Sequence, residues 1–158
     1  MAMKTFPGDP KVIAVLHDAL IYEAHMNLQY RLDQRLLKFM GAKKVASKFH
    51  AFGDDAHSWM GMLTKQILFL GGDAAYQIPP ITSPSTLTDL LQDALALEMA
   101  TVQPFEQAIE ICRLAFSDAE RNIFEHLRKW ENRHIGWLMT QLNLIGGIGE
   151  SEYLAEKL

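Results

Sequence analysis

With 158 residues and a mass of 17.9 kDa, the chain has the size of one domain able to bury a sizeable core. Its formal net charge of -4, with 15 basic and 19 acidic residues interspersed, leaves no basic stripe and excludes nucleic acid as the main partner. The single cysteine, Cys112, excludes an internal disulfide and a Cys-x-x-Cys metal module, and no apolar run reaches membrane-spanning length.

The polar start, Met1 to Lys11, is broken by Pro7, Gly8 and Pro10 and lacks the apolar core of a signal peptide. Together with the lone thiol, this leads us to expect a reducing, cytoplasmic setting. A first helix spans about 10–40: Asp9 or Pro10 opens it, and Val12, Leu16, Leu20, Glu23, Asn27, Tyr30 and Leu37 recur at helical steps until Gly41. A second, about 43–70, stops at Gly71-Gly72, a pair suited to the left-handed conformation. Residues 71–87 carry Pro79, Pro80 and Pro84 and read as one long crossover. A third helix, about 88–115, contains Pro104, which removes a backbone hydrogen bond and bends it six residues past Glu98. Ser117-Asp118-Ala119-Glu120 reads as a capping box opening the fourth, about 117–145, and Ser151 as the cap of a short fifth, about 151–158. Two helical pairs with short internal joints and one long crossover predict a single all-α domain over residues 1–158, a ferritin-like four-helix bundle with a short C-terminal fifth helix.

Four residues carry the chemistry. Glu23, Glu98, Glu131 and His134 follow the pattern Glu…Glu…Glu-x-x-His, the ligand set of a carboxylate-bridged iron site. Glu131 and His134 share one helical face, so a carboxylate and an imidazole can grip the same ion. Acidic residues on helices are usually solvated, but these share the bundle-facing phase of Leu16, Leu20, Leu95 and Leu138. Buried together, three acids require a cation or shared protons. Such a site normally has a second Glu-x-x-His, and the second helix instead reads Asp54-Asp55-Ala56-His57-Ser58-Trp59. His17, His25, His50 and His126 show no mutual ligand spacing and are assigned to the surface or an interface. Tyr30 and Trp137 are assigned to core packing, and Cys112 to a small buried position.

Asn27-Leu28-Gln29-Tyr30 after Glu23, Ile67-Leu68-Phe69-Leu70, Leu95-Ala96-Leu97-Glu98, His134-Ile135-Gly136-Trp137-Leu138 and the closing Glu152-Tyr153-Leu154 occur in an order and spacing that resemble bacterioferritin over nearly the whole chain. The resemblance implies a 24-subunit hollow cage built from two-fold dimers, which oxidises ferrous iron at a di-iron centre within each subunit and stores the mineral inside. It also implies haem between two subunits in some members. Carried over by position, Glu23 is the terminal carboxylate of the first iron and Glu98 that of the second, Glu131 is a bridge, and His134 is the imidazole of the second iron. Ala56 stands where the other bridging glutamate belongs and Trp59 where the first iron's histidine belongs.

A half-set implies one metal per subunit or none, and slow or absent ferroxidase activity. Asp54-x-x-His57 is also a carboxylate and imidazole pair, but it is displaced by two residues, about 200 degrees of helix rotation, which turns it outward unless the helix contains a bulge. His57 occupies the position of the family's haem-ligating methionine, so two copies across a dimer axis could ligate a haem. The neighbouring Asn27, Arg31, His50 and Asp54 are polar where a haem face wants an apolar slot, and polar residues at a two-fold axis more often form hydrogen bonds, an Arg31 to Asp54 ion pair or a shared metal site. Three functions compete: an iron-storage cage subunit with an incomplete centre; a structural, haem-binding or metal-binding subunit that co-assembles with an active bacterioferritin-like partner; and a di-metal redox enzyme, which the loss of both ligands on the second helix disfavours.

Overall fold

The computed structural model describes residues 8–157. α1 (Pro10–Phe39) begins where the Asp9 carboxylate accepts a hydrogen bond from the Lys11 amide at 2.8 Å, with Pro10 in the first turn where its missing N–H costs nothing. Gly41, at φ 86°, turns the chain into α2 (Lys43–Phe69), and Gly71, at φ 84°, ends that helix. The crossover leads to α3 (Leu87–Met99) and α4 (Val102–Leu114), which return alongside α5 (Asp118–Ile148) and the seven-residue α6 (Glu150–Glu156). The described residues contain helices and no strands, which makes the chain the ferritin-like bundle with a short C-terminal helix expected from its periodicity.

Three local expectations are corrected. The single third helix is two, broken at Ala100-Thr101, because Pro104 cannot donate to the carbonyl four residues earlier. The Thr101 hydroxyl instead donates to the Glu98 carbonyl at 2.7 Å, so the break lies directly after a site residue. Ser117-to-Glu120 is not a capping box. Ser117 makes no side-chain cap after Phe116 enters the left-handed region at φ 55°, and Glu120 accepts from Gln66 at 2.8 Å, tying α5 to α2. Nor does Ser151 cap the last helix, which starts at Glu150 after Gly149 at φ 84°. The Glu150 carboxylate caps a different helix, accepting from the Leu87 amide at 3.0 Å and the Thr88 hydroxyl at 3.3 Å at the start of α3.

The crossover is pinned by one side-chain amide. Gln29 donates to the Thr82 carbonyl and accepts from the Thr82 amide, both at 2.8 Å, and also donates to Asp33 at 2.9 Å. Asp33 is buried, and burial, reinforced by the charge of Asp93 on α3, pushes its carboxyl up to about 7 against the opposing hydrogen bond from Gln29. The folded state therefore keeps the proton where the unfolded chain has released it, and stability is lost as pH rises from about 4 towards 7. Asp33→Asn should raise the thermal midpoint at pH 8, by about 1–3 kcal/mol in stability, with little gain at pH 4. A gain independent of pH in thermal melts would contradict this assignment.

Two apolar clusters fill the bundle. Leu16, Leu20, Leu63, Ile67, Phe105, Phe124 and Leu127 belong to one, and Met26, Tyr30, Phe49, Phe52, Ala56, Ala94 and Leu138 to the other. Cys112 is buried in the first, its thiol pushed up to about 11 by burial and so unreactive. At three places the change from one cluster to the other falls at an acid: Glu23 between Leu20 and Met26 on α1, Glu98 between Ala94 on α3 and Phe105 on α4, and Glu131 between Leu127 and Leu138 on α5.

Candidate metal centre

Glu23, Glu98, Glu131 and His134 come from α1, α3 and α5 and are all buried, the three carboxylates at 2 % exposure or less. One ligand atom each of Glu98, Glu131 and His134 lies within 4.8 Å of the others. The His134 Nδ1 is 3.0 Å from a Glu98 oxygen, and the Tyr30 hydroxyl donates to the same oxygen at 2.6 Å. Tyr30 thus does more than pack against Phe49 at 5.4 Å, the role assigned to it from sequence. Trp137 does pack in the core, edge-on to Phe52 at 5.5 Å.

Burial raises the Glu23 carboxyl to about 8, helped by the charge of Glu98 and opposed by hydrogen bonding with Glu131. Glu131 is raised well above the carboxylate range by burial and by Glu23 and Glu98. For Glu98 burial pushes upward too, but hydrogen bonds from Glu131, His134 and Tyr30 outweigh it and hold its carboxyl low. The cluster shares protons around one anionic carboxylate. Apart from the contacts among the carboxyls themselves, Glu23 Oε1, Glu98 Oε2 and Glu131 Oε2 are buried without a hydrogen-bond partner. Three orphaned carboxylate oxygens beside an imidazole suit a divalent cation, which would satisfy all of them at once.

The second helix supplies a residue that sequence reasoning missed. Asp55 Oδ2 lies 3.4 Å from His134 Nε2, so the imidazole stands between Glu98 and Asp55 while Phe52 stacks on its ring at a centroid distance of 3.9 Å. Helical spacing carried the signal, since Phe52, Asp55 and Trp59 recur at steps of three and four. Ala56 is buried in the core and offers no ligand atom, and Trp59 is half-buried against the other cluster. Asp54 and His57 are exposed. Asp54 pairs with Arg31 at 2.7 Å and with His50 at 3.3 Å, and the Arg31 hydrogen bond holds its carboxyl below the usual range. Neither Asp54 nor His57 contacts Glu131 in any hydrogen bond or ion pair among the described residues.

An antiparallel helical bundle with buried carboxylates and an imidazole at its waist defines the ferritin-like class of carboxylate metal proteins. Residues 13–148 match the family model described as a ferritin-like domain. The chain is 32 % identical over 149 residues to a bacterioferritin of Streptomyces coelicolor, covering 94 % of this chain and 89 % of that one. It is 30 % identical over 147 residues to a bacterioferritin of Brucella melitensis, covering 92 % and 91 %, and 29 % identical over 150 residues to one of Mycolicibacterium paratuberculosis, covering 94 % of each. The chain belongs to the ferritin-like family, in its bacterioferritin branch.

Proposed function

We propose that this chain is an iron-storing shell subunit with an incomplete di-iron centre: one metal is held by Glu98, Glu131 and His134, with Glu23 as an adjoining carboxylate, and the second metal position is lost. The observation that carries this reading is the trio of orphaned buried oxygens on Glu23, Glu98 and Glu131, set against a second helix that offers Ala56 and Trp59 where a carboxylate and an imidazole are needed. Reduction of dioxygen to peroxide takes two electrons, one from each of two ferrous ions held close together, so a single position supplies only half of them. Tyr30 and Asp55 position the residues that remain: Tyr30 holds one Glu98 oxygen, and Asp55 accepts from the outer nitrogen of His134, fixing its ring.

Bacterioferritin relatives support self-assembly, here into a 24-subunit cage of two-fold dimers in the cytoplasm, alone or with a second bacterioferritin-like subunit. No helix among the described residues is long and apolar enough to cross a membrane. The exposed face carrying His57 is polar, with Arg31, His50 and Asp54 already paired, which suits a hydrogen-bonded contact better than the apolar slot of a haem.

Small ferrous additions to the metal-free protein in air, followed by absorbance, test this reading. The expected record is slow oxidation without a fast phase saturating near two irons per subunit, together with one tight anaerobic ferrous site per subunit that Glu131→Ala removes. A fast two-iron phase that vanishes in Glu131→Ala would show that a second site exists and would overturn the incomplete centre.

A further inference from the structure

We propose that a two-lobed basic cleft on α2, α5 and α6 binds a phosphate-type oxyanion, with room for two linked phosphate groups. One lobe, of about 200 Å³, is lined by Lys48, Phe52, Asp55, Trp130, Arg133 and His134. The other, of about 160 Å³, is lined by Lys44, Lys48, Trp137, Gln141 and Lys157. The two lobes meet at Lys48.

The cations of the cleft are held by rings and a carbonyl rather than by carboxylates. Among the described residues the ion pairs of lysine and arginine are confined to Arg31, Arg113, Arg121 and Arg128, and Lys44, Lys48, Arg133 and Lys157, like the other described lysines and Arg35, make none. Aromatic rings position three of them instead: the Lys48 ammonium lies 5.6 Å from the Phe52 ring and 5.7 Å from Trp137, the Arg133 guanidinium 5.2 Å from Trp130, and the Lys157 ammonium 5.4 Å from Tyr153. Lys44 is fixed by donating to the Glu156 carbonyl at 3.2 Å. Ring and carbonyl contacts orient a cation without neutralising it, so four positive charges line two adjoining cavities against a single acid. The acid lining them is Asp55, 3.4 Å from the His134 imidazole. Lysine ammonium groups and a planar guanidinium around a small concavity recognise a multiply charged oxyanion through charge-assisted hydrogen bonds. Two lobes sharing one lysine match a diphosphate better than a single carboxylate. Such an anion would sit beside His134 and Asp55, at the outer edge of the carboxylate centre, where it would offset the charge of incoming cations.

Calorimetric titration of inorganic pyrophosphate into the assembled, metal-free protein at constant ionic strength tests the site independently of any metal chemistry. Saturable binding at one pyrophosphate per subunit is expected. Lys48→Gln should weaken it by at least about tenfold, and Arg133→Gln or Lys157→Gln severalfold, while Lys11→Gln, at an exposed position in the first turn of α1, leaves it unchanged. Lys48 is exposed, so its replacement should leave the fold intact, as circular dichroism would verify. Absence of saturable binding, or equal affinity in the wild type and Lys48→Gln, would overturn the proposal, whatever the number of metals the carboxylate centre holds.

Discussion

Fast ferrous oxidation is expected to emerge when Ala56→Glu and Trp59→His are introduced together. The pair places a carboxylate and an imidazole three residues apart on α2, the arrangement Glu131 and His134 already have on α5. Exchanging Trp59 for histidine frees volume on the same helical face, while a glutamate at Ala56, which is 3 % exposed, must find room in a packed core. The metal-free variant should therefore lose about 1–3 kcal/mol of stability. With iron, the new carboxylate gains a partner, and the initial oxidation rate should rise by at least about tenfold and saturate near two irons per subunit. Either single substitution should give little, because each leaves the second metal short of a ligand. No gain in the double variant would mean that the backbone of α2 no longer approaches the centre closely enough for its side chains to share a metal.

A second large effect concerns Glu131. Its carboxyl is buried against Glu23 and Glu98 and raised far above its ordinary range, so the metal-free bundle carries the cost of packing three acids together. Glu131→Gln keeps the shape, removes one ionisable group and adds amide donors that can face its two acidic neighbours. Stability of the metal-free protein should rise by about 1–3 kcal/mol, visible as a higher thermal midpoint of about 2–4 °C per kcal/mol. The same variant should lose saturable ferrous binding. A gain in stability combined with a loss of binding is the signature of residues retained for a ligand rather than for the fold. Unchanged stability and unchanged binding in this variant would remove Glu131 from the centre.

The helical architecture was readable because long apolar stripes with a helical period, glycine stops at Gly41 and Gly71 and a proline-rich crossover all point the same way. Cap chemistry was less readable. Ser117 and Ser151 have the right residue type, but whether a hydroxyl reaches an amide depends on the backbone angle before it, and Phe116 and Gly149 set those angles. Glu150 capping a helix 63 residues away in sequence is a tertiary event that no local pattern announces. At the site, the mutual burial of Glu23, Glu98, Glu131 and His134 follows from residue type and phase. Asp55 was not legible in the sequence because carboxylate-x-x-imidazole spacing pairs Asp54 with His57. The physically relevant spacing ran instead from Phe52 through Asp55 to Trp59, and the partner imidazole lies 79 residues away.

Anomalous diffraction from crystals of the protein loaded anaerobically with ferrous iron tests the incomplete centre most directly. One peak per subunit, contacted by Glu98, Glu131 and His134, is the predicted result. Two peaks per subunit inside the bundle, or a single peak at Asp54 and His57, would contradict it.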